Sequence, residues 1–106
     1  MACNTTGDHN TALGADALWA NTSGCRNATV GNLSLIGNTT GCHNTASGMY
    51  ALCANTTGCN NVAIGYRAGI SNTTASNQTF IGNSCTTNTT IHGTVSAPDA
   101  TFGAVM

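Results

Sequence analysis

Charge is what this sequence has least of. Among its 106 residues two are Lys or Arg and three are Asp or Glu, which leaves a formal net charge of −1. Only Arg26 and Arg67 carry permanent positive charge, far short of the basic patch that neutralising nucleic-acid phosphates requires. Long apolar runs are missing too. No stretch approaches the ~18 residues of a membrane span, so no membrane insertion is expected, and no charged-then-apolar signal segment follows Met1. The chain is therefore expected either to use no export signal or to be a piece of something longer, because its pattern begins almost at Met1. Large apolar side chains are scarce: Leu, Ile, Val and Phe together number 16. Such scarcity signals disorder when net charge is high, and here it is not. Asn and Thr supply the bulk instead, with 13 Gly and a single Pro. That mixture suits short strands and tight turns whose order comes from stacking.

What the sequence does have is a repeat. Asn-Thr-Thr, or a near copy, starts at Asn4, Asn21, Asn38, Asn55 and Asn72, always 17 residues apart. Six residues beyond lie Asn10, Asn27, Asn44 and Asn61, then Gln78, and ten beyond lie Gly14, Gly31, Gly48, Gly65 and Gly82. Gly7, Gly24, Gly41 and Gly58 recur three beyond and give way to Ala75, while Leu18, Leu35 and Leu52 recur fourteen beyond and fade to Gly69 and Thr86. Self-similarity at one fixed period marks a stacked architecture.

The period is too short for paired helices, and Asn, Thr and Gly at this density form helices poorly. Alternate residues of a strand face the same way, and Thr11/Leu13, Ala28/Val30, Val62/Ile64 and Thr79/Ile81 are such pairs, each just before a repeat glycine. Glycine there and Asn-Thr-Thr-Gly elsewhere supply turns. Each copy thus reads as one coil of an all-β parallel solenoid, with two short strands and two turns. Residues 4–88 are expected to form five coils starting at 4, 21, 38, 55 and 72, rising roughly 4.8 Å per coil. Asn10, Asn27, Asn44 and Asn61 are expected to form one continuous stack, and columns of Asn can bond amide to amide along it. The pattern ends after Asn88, and 89–106, with Pro98, reads as an extended exit segment. So narrow a core rarely stabilises a lone chain, which favours a symmetric oligomer. Ala12, Ala46 and Ala63 are small enough for its close contact.

The segment Asn61-Val-Ala-Ile-Gly-Tyr-Arg-Ala-Gly69 resembles the head repeats of trimeric autotransporter adhesins. The wider unit Asn55-Thr-Thr-Gly-Cys-Asn-Asn-Val-Ala-Ile-Gly-Tyr-Arg-Ala resembles more closely the head-like repeats of phage tail fibres and related bacterial surface proteins. The resemblance spans residues 4–88. It implies a left-handed parallel β-roll, assembled as a homotrimer in a long extracellular or virion-borne fibre.

Six cysteines add a chemical question. Cys25, Cys42 and Cys59 share one column, while Cys3, Cys53 and Cys85 fall in three other phases. Short metal-ligand spacings are missing, so no metal is expected. Column neighbours stand within the Cα range of a disulfide, but their side chains run parallel and three cannot all pair. A ladder of reduced, small-hydrophobe thiols is favoured, with a disulfide as the alternative. His9 and His43 share a column with Arg26 between them, a pattern of solvated surface. Asp8, Asp16 and Asp99 fall apart from one another, so paired-carboxylate chemistry is not indicated. No catalytic residues, no cofactor and no enzyme activity are expected. Nine Asn-x-Ser/Thr sequons at Asn4, Asn21, Asn27, Asn32, Asn38, Asn55, Asn72, Asn77 and Asn88 arise because the repeat itself contains Asn-Thr-Thr.

The function expected is a rod-like structural or adhesive segment, with the phage-type fibre favoured over the autotransporter head. Its partners are further copies of itself, as a homotrimer or filament, and a cell-surface receptor or glycan. A self-assembling extracellular filament and an ice-binding solenoid are the competing readings. Adjacent threonines such as Thr5/Thr6 and Thr39/Thr40 point to opposite sides of a strand, which weakens the ice-binding one.

Overall fold

A computed structural model describes residues 1–86 and 88–96 of the chain. Five strands of three residues recur along it: β1 (Thr11–Leu13), β2 (Ala28–Val30), β3 (Thr45–Ser47), β4 (Val62–Ile64) and β5 (Thr79–Ile81). They form one parallel sheet in chain order. Register is uniform: Thr11 pairs with Ala28, Ala28 with Thr45, Thr45 with Val62 and Val62 with Thr79. Each pairing joins residues 17 positions apart, so the chain winds about four turns between β1 and β5. The molecule is a parallel β-solenoid.

The strands are short because a glycine stops each one. Gly14, Gly31 and Gly48 have φ of 134–136°, a region closed to side-chain-bearing residues. A Cβ on any of them would lie 2.5–2.7 Å from the backbone of the glycine one turn on. Within the strands the middle residue faces inward and its neighbours outward; the pattern is exposed-buried-exposed in β2 and β3.

Two expectations are corrected here. Only one strand forms per repeat, not two. The second flank passes through left-handed backbone at Asp16, Leu33, Tyr50 and Arg67 and again at Leu18, Leu35 and Leu52, with φ between 50° and 62°. That backbone cannot continue a strand, although it still bonds from turn to turn, as Leu35 N–H does to the Ala51 carbonyl at 2.9 Å. The second correction concerns Ala46 and Ala63. They lie in the solenoid's own core with Leu18, Leu35, Leu52, Ala51 and Ala68, and Ala12 packs against that core, so none of the three forms an outer contact face. A single alternation decides this: the residue between two outward positions must point in.

The core is narrow, and its exceptions compensate one another. Facing positions hold alanines at two levels, Ala46 with Ala51 and Ala63 with Ala68, but Thr29 with Ser34 at the β2 level. Thr29 and Ser34 are both buried and their hydroxyls bond each other. Ser34 Oγ also donates to the Gly31 carbonyl at 2.8 Å. Nearer β5 the leucine column stops at Gly69, whose φ of 64° repeats the left-handed turn without strain. The space a side chain would fill there is taken by Phe80, which stands where three earlier repeats have alanine and one has Thr29. A glycine and a phenylalanine thus exchange volume across the core, as close packing demands.

Residues 88–96 carry no strand or helix and are exposed. The remainder of the expected exit segment, 97–106 with Pro98, lies outside the described residues.

The Thr29–Ser34 pair yields a direct test. Ser34→Ala leaves the buried Thr29 hydroxyl without its partner and should cost about 1–3 kcal/mol in denaturant unfolding. The double variant T29A/S34A recreates the alanine pair of the neighbouring levels and should recover most of that loss. A double variant no more stable than Ser34→Ala alone would refute the compensation.

Candidate functional site

Two columns of asparagine run the length of the solenoid, and they work differently. In the column begun by Asn4, amide bonds amide. Asn21 Nδ2 donates to Asn4 Oδ1 at 2.7 Å, and Asn38, Asn55 and Asn72 each repeat the bond to the residue one turn back at 2.9 Å. In the column begun by Asn10, the side-chain oxygen accepts a backbone N–H from the next turn. Asn27, Asn44, Asn61 and Gln78 donate in this way to Asn10, Asn27, Asn44 and Asn61 at 2.9–3.0 Å. Amide-to-amide bonding had been expected of asparagine columns in general. It belongs chiefly to the Asn4 column, and the side chains of the Asn10 column clamp backbone instead.

The columns meet at shared carbonyls. Gly41 O accepts from Asn38 Nδ2 of its own turn at 3.0 Å and from Asn27 Nδ2 of the previous turn at 2.8 Å. Gly24, Gly58 and Ala75 carbonyls repeat that double role. A Cβ on Gly41 would collide with the Gly58 carbonyl and with Asn38 Oδ1, which is why this corner is glycine while another turn follows. Ala75 stands where the stack has no sixth strand among the described residues. Asn21, Asn27, Asn38, Asn44, Asn55 and Asn61 are buried, yet among the described residues no buried side-chain nitrogen or oxygen lacks a partner.

Threonines add a third ladder. Thr22 and Thr39 donate their hydroxyls to the Thr39 and Thr56 carbonyls one turn on, each at 3.1 Å. These carbonyls also receive clustered backbone N–H groups; Thr22, Ser23 and Gly24 all donate to Thr39 O. The sequons at Asn21, Asn27, Asn38 and Asn55 therefore place their acceptor nitrogens inside the fold, where they are already spent.

The cysteine column is real. Cys25, Cys42 and Cys59 are half-buried free thiols, and Cys42 Sγ lies 3.0 Å from Cys25 Sγ. Burial, together with its hydrogen bond to Cys25, pushes the Cys42 thiol above its ordinary pKa. Cys53 sits apart on another face, raised by burial as well. His9 contacts Asp8 at 3.3 Å on the open surface, where such a pair contributes little. Among the described residues no three of His, Cys, Asp and Glu gather as a metal site would require.

Outward positions of the sheet form an apolar stripe: Leu13, Val30, Ile64 and Ile81 are each about half exposed or more, with Ser47 between. Beside the β4–β5 levels an open groove of about 610 Å³ is lined by Tyr66, Arg67, Ile70 and Phe80. Tyr66 stands edge-on to Tyr50 with ring centres 6.5 Å apart, and the Arg67 guanidinium lies 6.0 Å from the Tyr66 ring centre.

Fold and ladders together define a parallel β-solenoid repeat protein with an asparagine-lined interior. No protein-family model, curated protein or solved structure matches the chain.

Asn38→Asp tests the Asn4 column. It removes both donated bonds and places a carboxylate against Asn21 Oδ1, a buried charge that should cost about 3–5 kcal/mol at neutral pH. The buried acid would hold its proton, so the loss should shrink as pH falls. Asn4→Asp, exposed at the β1 end, should cost less than about 1 kcal/mol. Equal losses from both changes, measured by urea unfolding, would mean the column carries no special weight.

Proposed function

We propose that this chain is a rod segment of a homotrimeric surface or virion fibre, built as a left-handed roll of five coils. It has a structural and adhesive role without catalysis, outside the cell or on the virion. The observation that carries this reading is the stripe Leu13, Val30, Ile64 and Ile81, an apolar surface on the outer face of the sheet. Water-exposed apolar rows of this kind mark contact surfaces. The core behind it offers three leucines and a handful of alanines. A core so small gains from association, and closed symmetry is its usual form. The resemblance of residues 55–68 to adhesin and tail-fibre repeats supports the trimer and the handedness. A regular rod of this kind would hold a receptor- or glycan-binding surface at a set distance and repeat weak contacts along its length.

Sedimentation of the purified chain at micromolar concentration should give the mass of three chains. Ile64→Lys, which puts a charge in the stripe, should shift the mass toward one chain. A folded monomer of the unaltered chain would contradict the proposal. Particles of indefinite length would contradict it as well, and would show that the open edges of β1 and β5 pair between molecules.

A further inference from the structure

The three-cysteine column has a geometry that neither the fold nor the rod reading uses. Its neighbours are in register on adjacent turns, so their Cα atoms stand near the strand spacing of about 4.8 Å, inside the 4.4–6.8 Å range of disulfides. Cys25 Sγ and Cys42 Sγ already touch at 3.0 Å, about 1 Å beyond a sulfur–sulfur bond. Both residues are partly exposed, so a small reagent can reach them. Cys42 Sγ also accepts the Cys25 backbone N–H at 3.1 Å and donates to the Thr40 carbonyl at 3.5 Å, and the third thiol repeats this bonding without the sulfur–sulfur contact. Cys59 Sγ accepts the Cys42 backbone N–H at 3.2 Å and donates to the Thr57 carbonyl at 3.6 Å.

We propose that Cys25 and Cys42 are a reversible redox site: with a small-molecule disulfide they close one intrachain bridge, while Cys59 stays a thiol. In the first step one thiolate of the pair attacks the reagent, forming a mixed disulfide and displacing one small thiolate. In the second its neighbour attacks the mixed disulfide at the protein sulfur, forming the Cys25–Cys42 bond and displacing the other small thiolate. The protein loses two electrons and two protons, and the reagent's sulfur–sulfur bond is reduced to two thiols. One bridge is the limit for the column, because Cys42 is the shared neighbour and a sulfur forms a single such bond.

The same geometry makes the bridge easy to reopen. In-register neighbours hold their Cβ atoms near the strand spacing, wider than the roughly 3.8 Å typical of disulfides. Closing the bond must draw the β2 and β3 turns together against their ladder bonds. A strained, accessible bridge is the more readily reduced kind. Burial raises the Cys42 thiol and resists its ionisation, so bridging should quicken as pH rises. The site is independent of whether the rod is a trimer.

The test uses the full chain, reduced, freed of reductant, and incubated with excess oxidised glutathione. The thiols of the column, assigned by maleimide labelling after denaturation and peptide mapping, should fall from three to one. Tandem mass spectrometry should find the bridge between Cys25 and Cys42, and excess reduced glutathione should restore all three. Cys42→Ala should abolish bridging, and Cys59→Ala should leave it intact. All three column thiols remaining after oxidation, a glutathione mixed disulfide that persists at Cys25 or Cys42, a bridge involving Cys59, or a cross-link from the column to another chain would each overturn the proposal. Should Cys42→Ala fail to fold, bridge mapping in the unaltered chain and in Cys59→Ala still decides it.

Discussion

Everything in this solenoid depends on the need to satisfy buried carboxamides. A buried amide left without partners costs about 1–3 kcal/mol, and the columns place six fully or almost fully buried ones inside a chain of 106 residues. The only geometry that satisfies all of them is a stack with constant rise and constant register. Slip one turn by a single residue and Asn38 loses Asn21, Asn55 loses Asn38, and the Gly41 and Gly58 carbonyls each lose the donor from the neighbouring turn. An apolar core can tolerate such slippage; this one cannot. The polar interior therefore specifies the winding, and the few leucines and alanines supply the cohesion.

The need for close approach follows from those bonds. For Asn27 and Asn38 to share the Gly41 carbonyl, the backbone of adjacent turns must come within a distance that a Cβ would block. Glycine at that corner is thus a consequence of the amide ladder. The same reasoning orders the exceptions. Thr29 appears with Ser34, and Gly69 appears with Phe80, because an isolated change would leave a stranded hydroxyl or a void.

Much of this was legible in the sequence. The 17-residue phase located strands at Thr11–Leu13, Ala28–Val30, Val62–Ile64 and Thr79–Ile81, which are β1, β2, β4 and β5 as found. Phase implied β3 as well, although Thr45-Ala46-Ser47 has little strand character of its own. What periodicity could not give was direction. A column of Asn at turn positions reads equally well as solvent-facing turn formers or as an inward ladder, so the Asn4 column was seen only as a turn. Its identity at all five levels, where the Asn10 column gives way to Gln78, was the available signal. The left-handed corners were hidden for a different reason: Leu18, Leu35 and Leu52 are poor residues for φ near 50°, and only their burial explains why they tolerate it. Ala46 and Ala63 were placed on the wrong side because small size fits both a tight core and a tight interface.

The central claim, that the asparagine columns form a closed interior bonding system, is tested most directly by side-chain amide hydrogen exchange in the folded chain. The Nδ2 protons of Asn21, Asn38, Asn55, Asn27, Asn44 and Asn61 should exchange as slowly as the backbone amides of β2 to β4. Those of exposed Asn60 and Asn88 in the same sample should exchange at the rate of a free side chain. If the six buried amides exchange as fast as Asn60, their ladders do not hold the solenoid together and the account fails.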